Sequence, residues 1–475
     1  MSFLGRVEEL EQLEKINDLN KASLVVCSGR RRIGKSTLIE KYGEKFNHFI
    51  EIQGLAPQSK QTNQDQLNHF AKIFVTQSKT PSIQFKDWTD AFSILNQFAK
   101  NKKVLIFLDE ISWMGAHDPD FTGKLKVAWD TQFKKNSKLQ LVLCGSVSSW
   151  IEKNILRSKD FMGRISLELH LEELPLNICH QFWGSKKDRI SSFEKFQILC
   201  VTGGVPRYLE EINYKKPAEE NIKNLCFEKN GLLYLEFEKI FNDIFEKRAP
   251  IYKKIVQLLA TGLKTFVEVC DHLNTEPNGA ITGYLKDLEL SGFISRQYAW
   301  DLKTRKKKNN ISHYRLNDNY LRFYLKYIEP NKDKIEKKLY NLKSLENLSE
   351  YETIMGFQFE NLVLHNLQSV CQKLKINMLS IQNAGSFFQT KTLRQESCQI
   401  DLLIQTKSTL YVCEIKFKKL IDKSVIDDVQ KKVSKLKVSK NLSIRPMLIY
   451  AGEIAPSIED EGYFDQILSF SDLLD

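Results

Sequence analysis

The sequence predicts an α/β protein: a parallel sheet comes first, helical segments follow, and a second, smaller α/β unit closes the chain. Three observations predict this class. Short apolar runs that end in glycine, acid or serine recur in 23–42, 102–114 and 139–146, as parallel strands buried on both faces require. The stretch 251–300 places apolar residues at helical spacing between glycine and proline breakers. Near the C-terminus, the runs QIDLLIQ and TLYVCEIK flank the turn Thr406-Lys407-Ser408-Thr409.

At 475 residues the chain is too long for one core and is expected to hold three or four domains. With 42% hydrophobic and 27% charged residues it has the balance of a soluble globular protein. No apolar run approaches the roughly 18–20 residues that cross a bilayer, and MSFLGRVEELEQLEK lacks a signal-peptide pattern. The nine cysteines show no C-x-x-C pairing, so buried thiols in a reducing, cytoplasmic setting are expected rather than a zinc site or disulfides, with no membrane partner. A net charge of +11 is compatible with nucleic-acid contact. The densest basic cluster is KTRKKKNN, 303–310.

The first strand, in SLVVCSGRRRIGKSTLIEKY (23–42), runs into Gly29-x-x-x-x-Gly34-Lys35-Ser36 and then a helical pattern. This is a P-loop in its strand–loop–helix setting. Its backbone N–H groups, from Gly29 through Arg30, Arg31, Arg32, Ile33 and Gly34 to Lys35, Ser36 and Thr37, are expected to wrap phosphates. Lys35 reaches the β/γ-phosphates and the Ser36 hydroxyl ligates Mg²⁺. A P-loop needs an acidic partner on a neighbouring strand, and KKVLIFLDEISWM (102–114) supplies Asp109 and Glu110. Asp109 is expected at the Mg²⁺ and Glu110 at the attacking water. The third run, LQLVLCGS (139–146), ends at Ser146, either a γ-phosphate sensor or the cap of a helix starting near Ser148.

FLGRVEELEQLEKI, SGRRRIGKST, LIFLDE, LCGSVSS and TGGVPRYLEEI (202–212) follow one another in that order. In these motifs the chain resembles the archaeal-type ATPases of the STAND class of P-loop NTPases, relatives of the AAA+ proteins, over roughly the first 320 residues. The resemblance implies ATP and Mg²⁺ as ligands. It implies that Gly5, Arg6 and Glu9 lie by the adenine, and that Gly203, Gly204 and Pro206 lie in a helical lid. Arg207 then either approaches the γ-phosphate or is a surface arginine. The arginines at 30–32 are typical of the family.

The middle, 251–300, predicts three helices, Ile251–Leu259, Phe266–Leu273 and Ile281–Leu290, followed by strands in FISRQYAW and SHYRL. Three helices and a basic-tipped hairpin make a winged helix-turn-helix. Lys303, Arg305, Lys306, Lys307 and Lys308 are expected at the wing tip, where they would neutralise phosphates and make DNA a candidate partner. The third helix, NGAITGYLKDLEL, carries one lysine and two acids, poor chemistry for reading base edges. Internal packing or partner contact is the alternative use of such a module.

A charged linker, 329–352, leads to a helix over Ile354–Leu374, then Phe387-Phe388, the two apolar runs, a helix near 423–439 and a strand in RPMLIYAG. This αβββαβ order resembles the PD-(D/E)xK nuclease, or restriction-endonuclease-like, fold. If Lys407-Ser408 form a two-residue turn, Gln405 faces Leu410, Leu403 faces Val412 and Asp401 faces Glu414, with Lys416 on the same face. Opposed acids repel, which points to Mg²⁺ or Mn²⁺ between them, with Lys416 steadying charge at the phosphate. The alternative is that the acids pair with basic neighbours. The resemblance adds Glu360 as a third ligand, while Ile400 stands where that family has proline.

The expected domains are a P-loop ATPase at 1–172, a helical lid at 173–247, the winged helix-turn-helix at 248–325, a linker at 326–352 and the nuclease-like domain at 353–475. The expected function is an ATP-binding and hydrolysing switch coupled to a DNA-binding, nuclease-like domain, self-association being left open. The alternative is a non-cutting, ATP-controlled regulator.

Overall fold

In the computed structural model, which describes residues 3–56, 61–146, 149–245, 248–393, 395–439 and 441–474, the chain divides into two units. One is Met1–Glu172 with Leu290–Gly292, the other Glu173–Glu289 with Phe293–Asp475.

The first unit is built on β1 (Ser23–Gly29), β2 (His48–Gln53), β3 (Val104–Asp109), β4 (Leu139–Ser146) and β5 (Ile165–Leu171), all parallel, in the order β2-β3-β4-β1-β5. Side chains alternate across a strand, so each central strand feeds two cores. Leu24, Val26, Ile106 and Leu108 enter one with the helices Asn63–Ser78, Trp88–Ala99 and Phe121–Thr131. Val25, Cys27, Leu105 and Phe107 enter the other with the helices Val7–Asp18 and Lys35–Gly43. Such two-sided burial makes these strands continuous apolar runs. The parallel sheet flanked by helices is the P-loop NTPase arrangement expected from the sequence. One detail differs: β4 lies between β1 and β3, so the acid of β3 is not on a strand adjoining the P-loop strand.

After residue 248, helices Ala249–Ala260, Phe266–His272 and Gly279–Leu290 accompany a sheet of β6 (Lys264–Thr265), which lies between the first two helices in the chain, β7 (Ile294–Trp300) and β8 (Lys307–Leu316), ordered β6-β8-β7. β8 begins at Lys307, so Lys307 and Lys308 lie in the strand and the hairpin tip is 301–306. Residues 326–352 bury Tyr327, Ile328, Ile335, Leu345 and Leu348 in the second unit's main core.

The C-terminal sheet comprises β9 (Asn383–Gln389), β10 (Cys398–Gln405), β11 (Thr409–Ile421), β12 (Ser443–Ile454) and β13 (Gln466–Ser469), ordered β13-β12-β11-β10-β9. β9, β10 and β11 are antiparallel, and β11, β12 and β13 are parallel. The αβββαβ order is present, and β13 extends it. The long helix expected over Ile354–Leu374 is two, Tyr351–His365 and Leu367–Lys373, parted at Asn366. There the Asn366 amide donates to the Leu362 carbonyl (2.8 Å) and its Oδ1 accepts from the Leu176 N–H (3.3 Å), side-chain bonding that competes with helix continuation. One sheet face packs on helix Tyr351–His365 through Leu402, Ile404, Cys413 and Ile415. The other packs on helix Ser424–Lys435 through Leu403, Leu410, Val412 and Val429.

The hairpin β7–β8 is fastened to this sheet. The Trp300 indole donates to Gln405 Oε1 (2.8 Å), and Gln405 Nε2 donates to the Leu302 carbonyl (2.8 Å). Arg305 Nη2 donates to the Lys407 carbonyl (2.9 Å). Arg305, expected at the wing tip as a phosphate ligand, is therefore committed to the β10–β11 turn.

Candidate functional site

The carboxyl ends of β1, β3 and β4 gather the P-loop residues. Gly29 stands at φ 152°, and a Cβ there would lie 2.6 Å from the Leu171 carbonyl oxygen. Gly34, at φ 89°, caps the helix Lys35–Gly43 in the left-handed region, where L side chains are strained. These glycines leave the loop curled around a backbone cradle. Lys35 is buried, and its ammonium donates to the carbonyls of Gly29 (3.1 Å) and Arg30 (3.0 Å). Ser36 Oγ donates to Asp109 Oδ2 (2.8 Å). Hydroxyl and carboxylate are hard oxygen donors, and their convergence fits a Mg²⁺ site. Thr37 continues the first helical turn, and Ile33 is buried in the core beside β1.

Glu110 follows Asp109 at φ 49°, a left-handed backbone uncommon for a residue with a side chain. Burial pushes its carboxyl above the ordinary carboxylate range. The Asp109 charge adds to this, while Lys35, Arg31 and the Ser146 N–H oppose it. Ser146 thus sits against Glu110, and the helix expected near Ser148 is described from Ser149 (Ser149–Ile151). Arg6, at φ 61°, donates to Glu9 Oε1 (3.0 Å), the Ile33 carbonyl (3.1 Å) and the Glu172 carbonyl (2.5 Å). It ties the N-terminal segment to the P-loop backbone.

In the second unit, Gly204 donates its N–H to Glu173 (2.7 Å), and Pro206 opens the short helix Pro206–Leu209. Arg207 pairs with Glu210 (3.4 Å) and Glu211 (2.6 Å) beside it.

At the C-terminal sheet the hairpin register is the expected one: Gln405 pairs with Leu410 and Leu403 with Val412. Continued by one step of two, it opposes Asp401 and Glu414. Asp401 Oδ2 accepts the Ile415 N–H (3.1 Å). Lys416 Nζ lies 2.9 Å from Glu414. A lysine that the sequence reading missed completes the cluster: Lys432 Nζ is 2.6 Å from Glu414 and 3.5 Å from Asp401. Glu360 pairs with buried Arg315 at 2.7 Å. Among the described residues no group of three or more His, Cys, Asp or Glu side chains is placed to hold a metal ion. The Glu414 and Asp401 oxygens are instead paired with Lys416 and Lys432.

Electrostatics agree with this pairing. Burial would pull the Lys432 ammonium down, but Asp401 and Glu414 outweigh it and raise its pKa to about 12. Burial first, then the Glu414 and Glu360 charges, raise Asp401 from its ordinary 3.8 to about 7. The folded chain therefore holds an extra proton between those values. Its stabilisation is complete below about pH 4 and is lost as the pH rises through about 7. Raising the pH from 5 to 8 is expected to lower the Tm of the wild type more than that of Asp401→Asn, measured side by side in one buffer series.

Two positions escaped the sequence reading. Lys432 falls on the stripe Val425–Val429 of helix Ser424–Lys435, at the i+3 position from buried Val429; a lysine on that face was the available signal. Glu51 of β2 is raised to about 7 by burial and by the Glu40 and Asp109 charges. Its signal was an acid inside the apolar run HFIEI.

Residues 3–212 match a family described as an ATPase domain predominantly from Archaea. Over these residues the chain is similar to that ATPase domain. Residues 324–428 match a second family, described as archaeal and bacterial proteins of unknown function. An uncharacterized protein of Methanocaldococcus jannaschii is 27% identical over 429 residues, 89% of each chain. A second protein of that organism, described as ATP-binding, is 52% identical over 42 residues, 9% of this chain and 71% of that one. Among solved structures, a Walker-type ATPase of Pyrococcus abyssi superposes with a TM-score of 0.51 at 16% identity, covering 68% of this chain and 96% of that one. This last likeness shows the shared fold. Among the described residues no helix is long and apolar enough to cross a membrane, and all nine cysteines are buried.

Proposed function

We propose that the ATPase domain works as a switch whose nucleotide state controls a nucleic-acid-facing second unit. The observation that carries the catalytic half is the Ser36–Asp109 hydrogen bond, which brings the P-loop hydroxyl to the acid of β3. A Mg²⁺ ion held by these two oxygens would supply positive charge to the phosphates. Lys35 would exchange its carbonyl partners for β/γ-phosphate oxygens, and loop N–H groups from Gly29 to Thr37 would bind the remaining ones. Glu110, with its carboxyl raised by burial, is suited to take the proton of the attacking water. Ser146, beside it, would hold that carboxylate or sense the γ-phosphate. Arg6 would fix the adenine side of the loop, and Pro206 and Arg207 would belong to the lid.

The elements around β7 and β8 support a winged helix-turn-helix, and the C-terminal sheet supports a nuclease-like fold used to engage nucleic acid. A second reading, in which this fold cuts, is favoured by one observation: Asp401, Glu414 and Lys416 converge on one sheet face. The contact of Lys432 with both acids favours the non-cutting reading. The test is incubation of labelled duplex and single-stranded DNA with Mg²⁺ or Mn²⁺, with and without ATP. Wild type, Asp401→Asn and Lys35→Ala are compared. No cleavage, with ATP turnover intact and DNA affinity dependent on nucleotide, is the expected result. Cleavage lost in Asp401→Asn would establish the second reading, and affinity indifferent to nucleotide would overturn the switch.

A further inference from the structure

We propose that a cleft between the β7–β8 hairpin and β9 binds single-stranded nucleic acid, a base against the Phe388 ring and its phosphates on lysines. The inference rests on the reading that the second unit faces nucleic acid, and it names the site and the strandedness of the ligand.

The cleft measures about 450 Å3 and is lined by Trp300, Lys303 and Lys308 from the hairpin, Phe387 and Phe388 from β9, and Lys437 after the last long helix. That volume falls in the range of about 300–1,000 Å3 typical of clefts that enclose small ligands, enough for unstacked bases and too small for a duplex. Phe388 supplies the half-exposed ring of the aromatic wall, and the buried Trp300 and Phe387 back it from the core. Trp300 meets Phe387 edge to face at 5.1 Å and is anchored by its bond to Gln405. Phe388 packs against His313 at 4.4 Å and stays half-buried.

Charge selects the partner's sign. Lys303 and Lys308 on the hairpin and Lys437 on the opposite segment are all exposed at the rim. The single acid among the described lining residues, Asp301, is turned onto its own loop, accepting the N–H groups of Lys303 (3.1 Å) and Thr304 (2.7 Å). An anionic ligand with flat apolar groups matches both features. Bases in a duplex are stacked inside and would leave the aromatic wall unused, whereas a single strand offers bases to aromatic side chains and phosphates to lysines.

The test is fluorescence anisotropy of the full chain with labelled dT12, rU12 and a 12-base-pair duplex across a salt series. The single strands are expected to bind at least fivefold tighter than the duplex, and the dT12 and rU12 arms tell DNA from RNA. The triple variant Lys303→Glu/Lys308→Glu/Lys437→Glu is expected to weaken single-strand binding tenfold or more. It should also flatten the slope of log affinity against log salt by about 2. Phe388→Leu, which keeps apolar bulk without an aromatic face, is expected to lower affinity about fivefold at unchanged slope. Both variants should retain wild-type ATP turnover. Equal binding of duplex, or binding insensitive to both variants, would overturn the cleft while leaving a nucleic-acid-facing unit. If wild type binds none of the three, the broader reading fails as well. Displacement of the strand by polyglutamate at equal charge would show a generic polyanion surface and also overturn the proposal.

Discussion

Lys35→Ala is expected to lower ATP turnover a hundredfold or more and to weaken ATP binding with it. The ammonium is buried and satisfied by two carbonyls of its own loop, so it is positioned before any ligand arrives and, in the proposed role, would contact phosphate in both ground and transition states. Glu110→Gln separates binding from chemistry. The amide keeps the shape of the side chain beside the Ser146 N–H but cannot take a proton, so kcat should fall a hundredfold or more with ATP affinity little changed. Radiolabelled phosphate release and equilibrium ATP binding on both variants distinguish these outcomes. Equal loss of binding in Glu110→Gln would mean that the carboxylate holds the loop rather than the water.

Glu414→Ala is expected to destabilise the second unit by about 3–5 kcal/mol, the usual cost of removing one member of a buried ion pair. The Glu414 side chain is 3% exposed, with Lys416 at 2.9 Å and Lys432 at 2.6 Å. Its loss leaves Lys432 with only the more distant Asp401. The double variant Glu414→Leu/Lys432→Met is expected to regain most of the loss, because apolar replacements remove both desolvation costs and Asp401 can remain protonated. Thermal unfolding of the single and double variants checks this. A single variant as stable as wild type would mean that solvent, not Glu414, balances the lysines.

Much of the nucleotide site was legible because its strands are buried on both faces. β1, β3 and β4 carry little but apolar residues, and their terminal Gly29, Asp109 and Ser146 stand out against them. The edge strand β5, ISLELHL, has one exposed face and reads as an ordinary alternating segment, so it went unseen. The intervention of β4 between β1 and β3 was equally hidden, since strand order is not a property of any one run. The β10–β11 register could be worked out on paper because a two-residue turn fixes every later pair. Lys432 could not, since its meeting with Asp401 and Glu414 depends on how helix Ser424–Lys435 crosses the sheet. The same holds for Arg305, whose basic neighbours in sequence suggested a phosphate and whose actual partner is a carbonyl 102 residues on.

The bond from Trp300 to Gln405, and from Gln405 back to Leu302, sets where this chain can be shortened. A fragment ending before β9 would keep the indole N–H and the Leu302 carbonyl while deleting the one amide that serves both. It would also expose the Trp300 ring that now packs on Phe387. Such a fragment would be expected to precipitate or to pair through that stripped surface. Gene truncation at the apparent seam after residue 325 is thus a poor route to a soluble N-terminal piece, and the hairpin and its sheet must be inherited, expressed and lost together.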